Sequence, residues 1–171
     1  MQKVISKHTD SLTTVYLNEV SQLDPKDFDC IIFSGSPLFV SEAKQEDYFP
    51  HIRWCMNTGL PILGVCFGHQ LIGWFFGAKV IRGPVRKGDD RIDIISDSHL
   101  FDRLEKDFVS YVNHEEEITL PECFTRLASS DSTEVEAMKH NEKEIYGVQF
   151  HPEKTEDLGE QLYFNFLKKT V

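Results

Sequence analysis

Cys66 sits where two patterns meet. Pro61-Ile62-Leu63-Gly64-Val65 reads as a buried strand, and residues 67–76 (FGHQLIGWFF) read as a helix with Leu71, Ile72, Phe75 and Phe76 on one apolar face. The cysteine falls in the turn between them. Glycines at 64 and 68 remove side chains where the backbone must turn sharply. A G-x-S-x-G elbow presents a serine nucleophile in the same way. The adjoining helix N-terminus favours a thiolate, which is the attacking species, and the N–H of Phe67 is free to point at a developing oxyanion. Cys30, Cys55 and Cys123 sit at no such turn and read as small buried hydrophobes.

A second constellation lies 85 residues on. The run 144–150 (EIYGVQF) delivers His151 at its end, Pro152 stops the strand, and Glu153 follows. A carboxylate so placed can hydrogen-bond one imidazole nitrogen, fix its tautomer and stabilise the cation, leaving the other nitrogen for a thiol. A cysteine, a histidine and a carboxylate in these roles suit nucleophilic attack on a carbonyl.

The elements that position these groups alternate between strand and helix. Cys30-Ile31-Ile32-Phe33 reads as a strand running into the turn Ser34-Gly35-Ser36-Pro37. Residues 44–57 read as a helix, with Pro50 early and Gly59 just past its end. The stretch 78–136 is strand-rich, with candidates at 91–95, 109–112 and 134–138. A last helix starts near Thr155, and its Leu158, Leu162, Tyr163, Phe166 and Leu167 recur at helical spacing as core positions. Residues 12–20 (LTTVYLNEV) read as a strand, preceded by about ten polar residues with a weak helical pattern. The pattern predicts one α/β domain over residues 1–171: an open, mostly parallel sheet with flanking helices.

Composition narrows the function. Of 171 residues, 40% are hydrophobic and 27% charged, as in an ordinary soluble globular protein. The net charge of −10 argues against nucleic acid or an anionic membrane as the main partner. The basic cluster Arg82, Arg86, Lys87 and Arg91 is interrupted by Asp89, Asp90 and Asp93 and reads as a solvated loop. The four cysteines form no C-x-x-C pair, which disfavours a zinc knuckle or a redox motif. No apolar run reaches the length of a membrane span, nothing reads as a signal peptide, and the expected setting is a reducing cytoplasm.

Gly64-Val65-Cys66-Phe67-Gly68-His69-Gln70 and Gly147-Val148-Gln149-Phe150-His151-Pro152-Glu153 resemble the two signature strings of the class I glutamine amidotransferases. Ser34-Gly35-Ser36-Pro37 is similar to that family's S-G-G-P turn. The resemblance runs from about Val15 to Leu167. It implies a flavodoxin-like fold and a Cys66–His151–Glu153 triad that hydrolyses glutamine through a glutamyl thioester. It further implies oxyanion donors at Phe67 and at the Gly35–Ser36 turn, substrate contacts from Gln70, and no metal or organic cofactor. Val135-Glu136-Ala137-Met138-Lys139-His140 and the Asn113-His114-Glu115-Glu116 segment look most like the glutaminase subunit of two-subunit GMP synthases, and the second places Asn113 and His114 near the glutamine pocket. The chain carries no G-x-x-x-x-G-K-[ST] loop, so ammonia is expected to pass to a separate ATP-dependent synthase.

The sequence departs from the family pattern in three places. Ser36 replaces a glycine, which bears on whether the oxyanion hole forms without a partner. Glu115 and Glu116 follow His114 and read as a solvated loop. The chain opens inside what would be the family's first helix, without the strand before it. Two further readings stay open: a stand-alone γ-glutamyl thiol hydrolase on the same fold, and a weakly active regulatory homologue.

Overall fold

The computed structural model describes residues 1–168. Four α-helices, α1 (Gln2–Ile5), α2 (Gln45–Asn57), α3 (Phe67–Phe75) and α4 (Glu156–Lys168), flank a single sheet. Its strands are β1 (Ile31–Phe33), β2 (Ile62–Val65), β3 (Val80–Ile94), β4 (Asp107–Ile118), β5 (Phe124–Ser129), β6 (Ala137–His140) and β7 (Ile145–Val148). They lie in the order β1-β2-β7-β6-β5-β3-β4. The pairs β1–β2 and β2–β7 are parallel and the other four pairs are antiparallel, so the α/β sheet is mixed, with its parallel part confined to the three strands nearest Cys66 and His151.

Period-two alternation along β2 and β7 separates two core layers. Leu63, Val65, Tyr146 and Val148 pack with Leu158, Leu162, Tyr163 and Phe166 of α4 on one face. Ile62 and Ile145 pack with Ile52 and Cys55 of α2 and Leu71 and Ile72 of α3 on the other. On that second face Gly64 and Gly147 are register partners. A Cβ on Gly64 would stand 2.6 Å from the Gly68 backbone, and one on Gly147 would stand 2.5 Å from His69 Nδ1. A Cβ on Gly68 would come within 2.3 Å of the Phe33 carbonyl oxygen. The first turn of α3 therefore lies directly on the sheet, and any side chain at these positions would lift it off. β1, β2 and β7 end at the same edge, where they release the 34–38 turn, Cys66 and His151 respectively.

Four expectations are corrected. Residues 12–16 join no strand, and Leu17–Gln22 is a 3₁₀ helix whose Glu19 carboxylate accepts the N–H of Tyr16. This local capping holds the segment outside the sheet. The basic cluster is part of β3, because its residues pair with β4 from Val80↔Ile118 to Asp93↔Asp107. The register shifts between Arg82 and Arg86, so Gly83-Pro84-Val85 form a bulge where proline's missing N–H is harmless. Glu115 and Glu116 lie within β4, and Glu116 is only 2% exposed. The strand expected at 134–138 starts at Ala137, because Ser130 closes a tight corner by accepting from the N–H groups of Ser132 and Thr133.

Candidate active site

Cys66 occupies φ 52° and ψ −107°, one of two non-glycine residues at positive φ among those described. Such a conformation costs about 1–3 kcal/mol and persists only where its surroundings enforce it. Here the Cys66 N–H donates to Val148 O at 2.8 Å, and its carbonyl accepts from Gln70 N–H at 3.0 Å. The strained turn aims Sγ across the end of the sheet towards β4. There it lies 3.8 Å from Asn113 O and receives Gln149 Nε2 at 3.7 Å. Phe67 opens α3, so its N–H is one of the first-turn donors with no partner inside the helix.

His151 leaves the end of β7 and bridges to β4, its N–H donating to Tyr111 O at 2.8 Å. Pro152 then starts a 3₁₀ turn that swings Glu153 back under the ring. The turn seats closely on α4, since a Cβ on Gly159 would stand 2.3 Å from Pro152 O. His151 Nδ1 and Glu153 Oε1 are 3.0 Å apart, and the Tyr163 hydroxyl donates to the other Glu153 oxygen at 3.5 Å. Burial pulls the His151 pKa down, but hydrogen bonds to Cys66 and Glu153 outweigh it and hold it up at about 9. Burial also pushes Glu153 up, yet its bond to His151 wins and keeps the carboxyl below its ordinary range. The pair is thus built to carry an imidazolium beside a carboxylate at neutral pH. Cys55 differs: burial pushes its thiol up to about 12. None of the four cysteines is in a disulfide.

The other expected site residues are gathered around the same point. A Cβ on Gly35 would stand 3.1 Å from His151 Cε1 and 3.7 Å from Cys66 Cβ, so the 34–38 turn lies directly over the pair. Neither Gly35 nor Ser36 has positive φ, so serine at 36 carries no left-handed strain, and its hydroxyl accepts the N–H of Leu38 at 3.2 Å. Asn113 offers the thiol its carbonyl. Gln70 is buried and reaches the thiol only through Gln149, donating to Gln149 Oε1 at 3.1 Å and to Glu116 O at 2.6 Å. His114 is buried, and burial takes its pKa down to about 4. As a neutral ring it donates from Nδ1 to Glu116 O at 3.0 Å, which leaves Nε2 as an acceptor.

Two residues of the site have no functional signal of their own in the sequence. Gln149 interrupts an otherwise apolar strand end, and that interruption is the one local hint of its bond to the thiol. Glu136 is fully buried, accepts the Ser130 hydroxyl at 2.9 Å, and has its pKa pushed up to about 7, chiefly by burial. Its backbone carbonyl accepts the N–H of Gln149 at 2.8 Å. A surface groove of about 480 Å³, lined by Ser98, His99, Phe101 and Lys106 among others, includes none of these residues. Among the described residues no cluster of His, Cys, Asp and Glu is arranged to hold a metal ion, and no helix is long and apolar enough to cross a membrane.

The glutamine amidotransferase class-I family model matches residues 4–170. The glutamine-hydrolyzing subunit of the Pyrococcus furiosus GMP synthase is 40% identical over 158 residues, covering 91% of this chain and 81% of that protein. The corresponding Archaeoglobus fulgidus subunit is 34% identical over 146 residues, covering 84% and 76%. Among solved structures, a protein of Thermoplasma acidophilum, provisionally assigned as the same GMP synthase subunit, superposes with a TM-score of 0.88 at 28% identity. The match covers 98% of this chain and 85% of that one.

Proposed function

The chain belongs to the class-I glutamine amidotransferases, and from that membership we propose that it hydrolyses glutamine to glutamate and ammonia with Cys66 as nucleophile. The observation that carries the reading is the His151–Glu153 pair at 3.0 Å, gathered under the Gly35 turn with a cysteine held at positive φ on a strand-to-helix elbow.

The Cys66 thiolate attacks the side-chain amide carbon of glutamine, forming a C–S bond and a tetrahedral oxyanion. The N–H of Phe67 and one from the Gly35–Ser36 turn hold that oxygen. His151 gives its proton to the amide nitrogen, the C–N bond breaks, and ammonia leaves a glutamyl thioester. His151 then takes a proton from water, the resulting hydroxide attacks the thioester, and glutamate departs as the C–S bond breaks. Glu153 keeps His151 in one tautomer and stabilises its cation in both steps. Asn113 and His114 form the β4 wall of the glutamine pocket. Gln70 holds that wall through Glu116 O and the thiol through Gln149.

The relatives named above are subunits of GMP synthase, and on that likeness the ammonia goes to a separate ATP-dependent synthase subunit for GMP synthesis. Treatment with a diazo-ketone analogue of glutamine, followed by peptide mass spectrometry, tests the site. A single adduct on Cys66 that excess glutamine blocks is expected, and the C66A variant should lose glutaminase activity by roughly 10⁴-fold or more. Labelling spread over Cys30 and Cys123 with no protection by glutamine would refute the assignment.

A further inference from the structure

The segment from residue 34 to residue 42 follows β1 and carries the Gly35–Ser36 turn. Its start is fixed by the sheet, where Phe33 pairs with Gly64. Its end is held by two adjacent carboxylates of β4 that project from opposite faces of the strand. Glu116, on the buried face, accepts the N–H of Val40 at 2.6 Å, the N–H of Ser41 at 3.2 Å, and the Ser41 hydroxyl. Glu115, on the outer face, accepts Arg82 Nε at 2.7 Å. The same guanidinium donates to Glu42 at 2.9 Å and lies 4.1 Å above the ring of Phe39.

Glu116 also acts in the other direction. Its backbone carbonyl accepts both Gln70 Nε2 and His114 Nδ1. One residue thus fixes the pocket wall through its main chain and the 34–42 segment through its side chain. A carboxylate can do this because it has only acceptors, whereas an amide at 116 would turn donors towards the Ser41 N–H.

We propose that Glu116 is a positioning residue that sets the height of the Gly35–Ser36 turn above Cys66, with Arg82 bracing the same segment from outside. The inference rests on the reading that this turn supplies an oxyanion donor. Such a donor works only within a narrow distance of the developing charge, so a turn released at its far end loses rate rather than substrate affinity.

The test is steady-state glutamine hydrolysis by the full chain and its E116Q, E116A and R82A variants. In E116Q, kcat should fall ~10-fold or more while KM stays within about 3-fold. E116A should approach a ~100-fold loss, and R82A only a few-fold loss, because the Arg82 pairs face solvent. Alkylation of Cys66 by iodoacetamide needs no oxyanion donor and should keep its wild-type rate in all three. A raised KM with kcat held would place Glu116 on substrate binding and overturn the proposal. An unchanged kcat in E116Q, or a kcat loss matched by an equal loss of alkylation, would overturn it as well. Should E116A not fold, E116Q decides alone. Failure of the glutaminase reading itself looks different: the wild-type chain would then show no hydrolysis, and glutamine would not protect Cys66 from the diazo-ketone.

Discussion

β1, β2 and β7 are three or four residues long, whereas β3 and β4 run for fifteen and twelve. β2 and β7 are buried along their whole length, while β3 is exposed at nearly every second position and forms, with β4, the end of the sheet. The short parallel trio carries Cys66, His151 and the 34–38 turn. The long ribbon carries Asn113, His114, Glu115 and Glu116. The proposed chemistry, which depends on fractions of an ångström, sits on strands that cannot move without disrupting both core layers. The recognition and bracing proposed for the ribbon rest on side chains and carbonyls that reach in one at a time.

Glycine substitutions test this contrast most severely. G68A puts a methyl group 2.3 Å from the Phe33 carbonyl oxygen and should cost about 3 kcal/mol or more in urea unfolding. G83A, in the ribbon's bulge, meets nothing within 4 Å and should change stability by less than about 0.5 kcal/mol. Equal costs at the two positions would remove the distinction between trio and ribbon.

Glu136 lies at the seam, one residue before β6 and hydrogen-bonded through its backbone to Gln149. Its pKa is raised from 4.5 to about 7, so the folded state binds this proton more tightly than the unfolded state does. Its contribution is favourable below about pH 4.5 and is lost as pH rises to about 7. E136Q should therefore match wild type near pH 4.5 and exceed it by up to about 3 kcal/mol at pH 8, as measured by urea unfolding at both values. A difference independent of pH would mean that Glu136 is not buried as an acid.

At the site itself, E153Q should have a modest effect on energy and the most specific one on pH. His151 is held up at about 9 by Cys66 and Glu153 together, so the wild-type rate should fall only above about pH 9. Losing the carboxylate should move that limb down towards 6.5 and cost roughly tenfold in kcat/KM at pH 8. A pH–rate profile of both proteins decides it, and an unmoved basic limb would show that Glu153 does not set the His151 proton.

Much of the trio is legible in the sequence because its signals are local. The apolar runs before Cys66 and His151, the glycines at 64 and 68, and the helices at 44–57 and from 155 all lie within a few residues of what they position. The ribbon is harder to read. β3 is rich in arginine and aspartate, since only one of its faces meets the protein, and its strand state comes from pairing with β4 rather than from an apolar pattern. β5 escapes the pattern for a related reason: only part of it is buried, and the nearby corner at Ser130 obscures where one strand ends and the next begins.

The sequence by itself determined the family and the elbow, and it singled out the proposed nucleophile, histidine and carboxylate, because each is written in residue types and short spacings. Only the tertiary structure decided what surrounds them. Gln149 reaches the thiol across 83 residues of chain, Gln70 reaches Gln149 across 79, and Glu116 reaches Val40 across 76. No periodicity in a chain can announce such bonds, since they form only when strands distant in sequence are brought to one edge of the sheet. There, buried polar atoms must find partners wherever the fold has placed them.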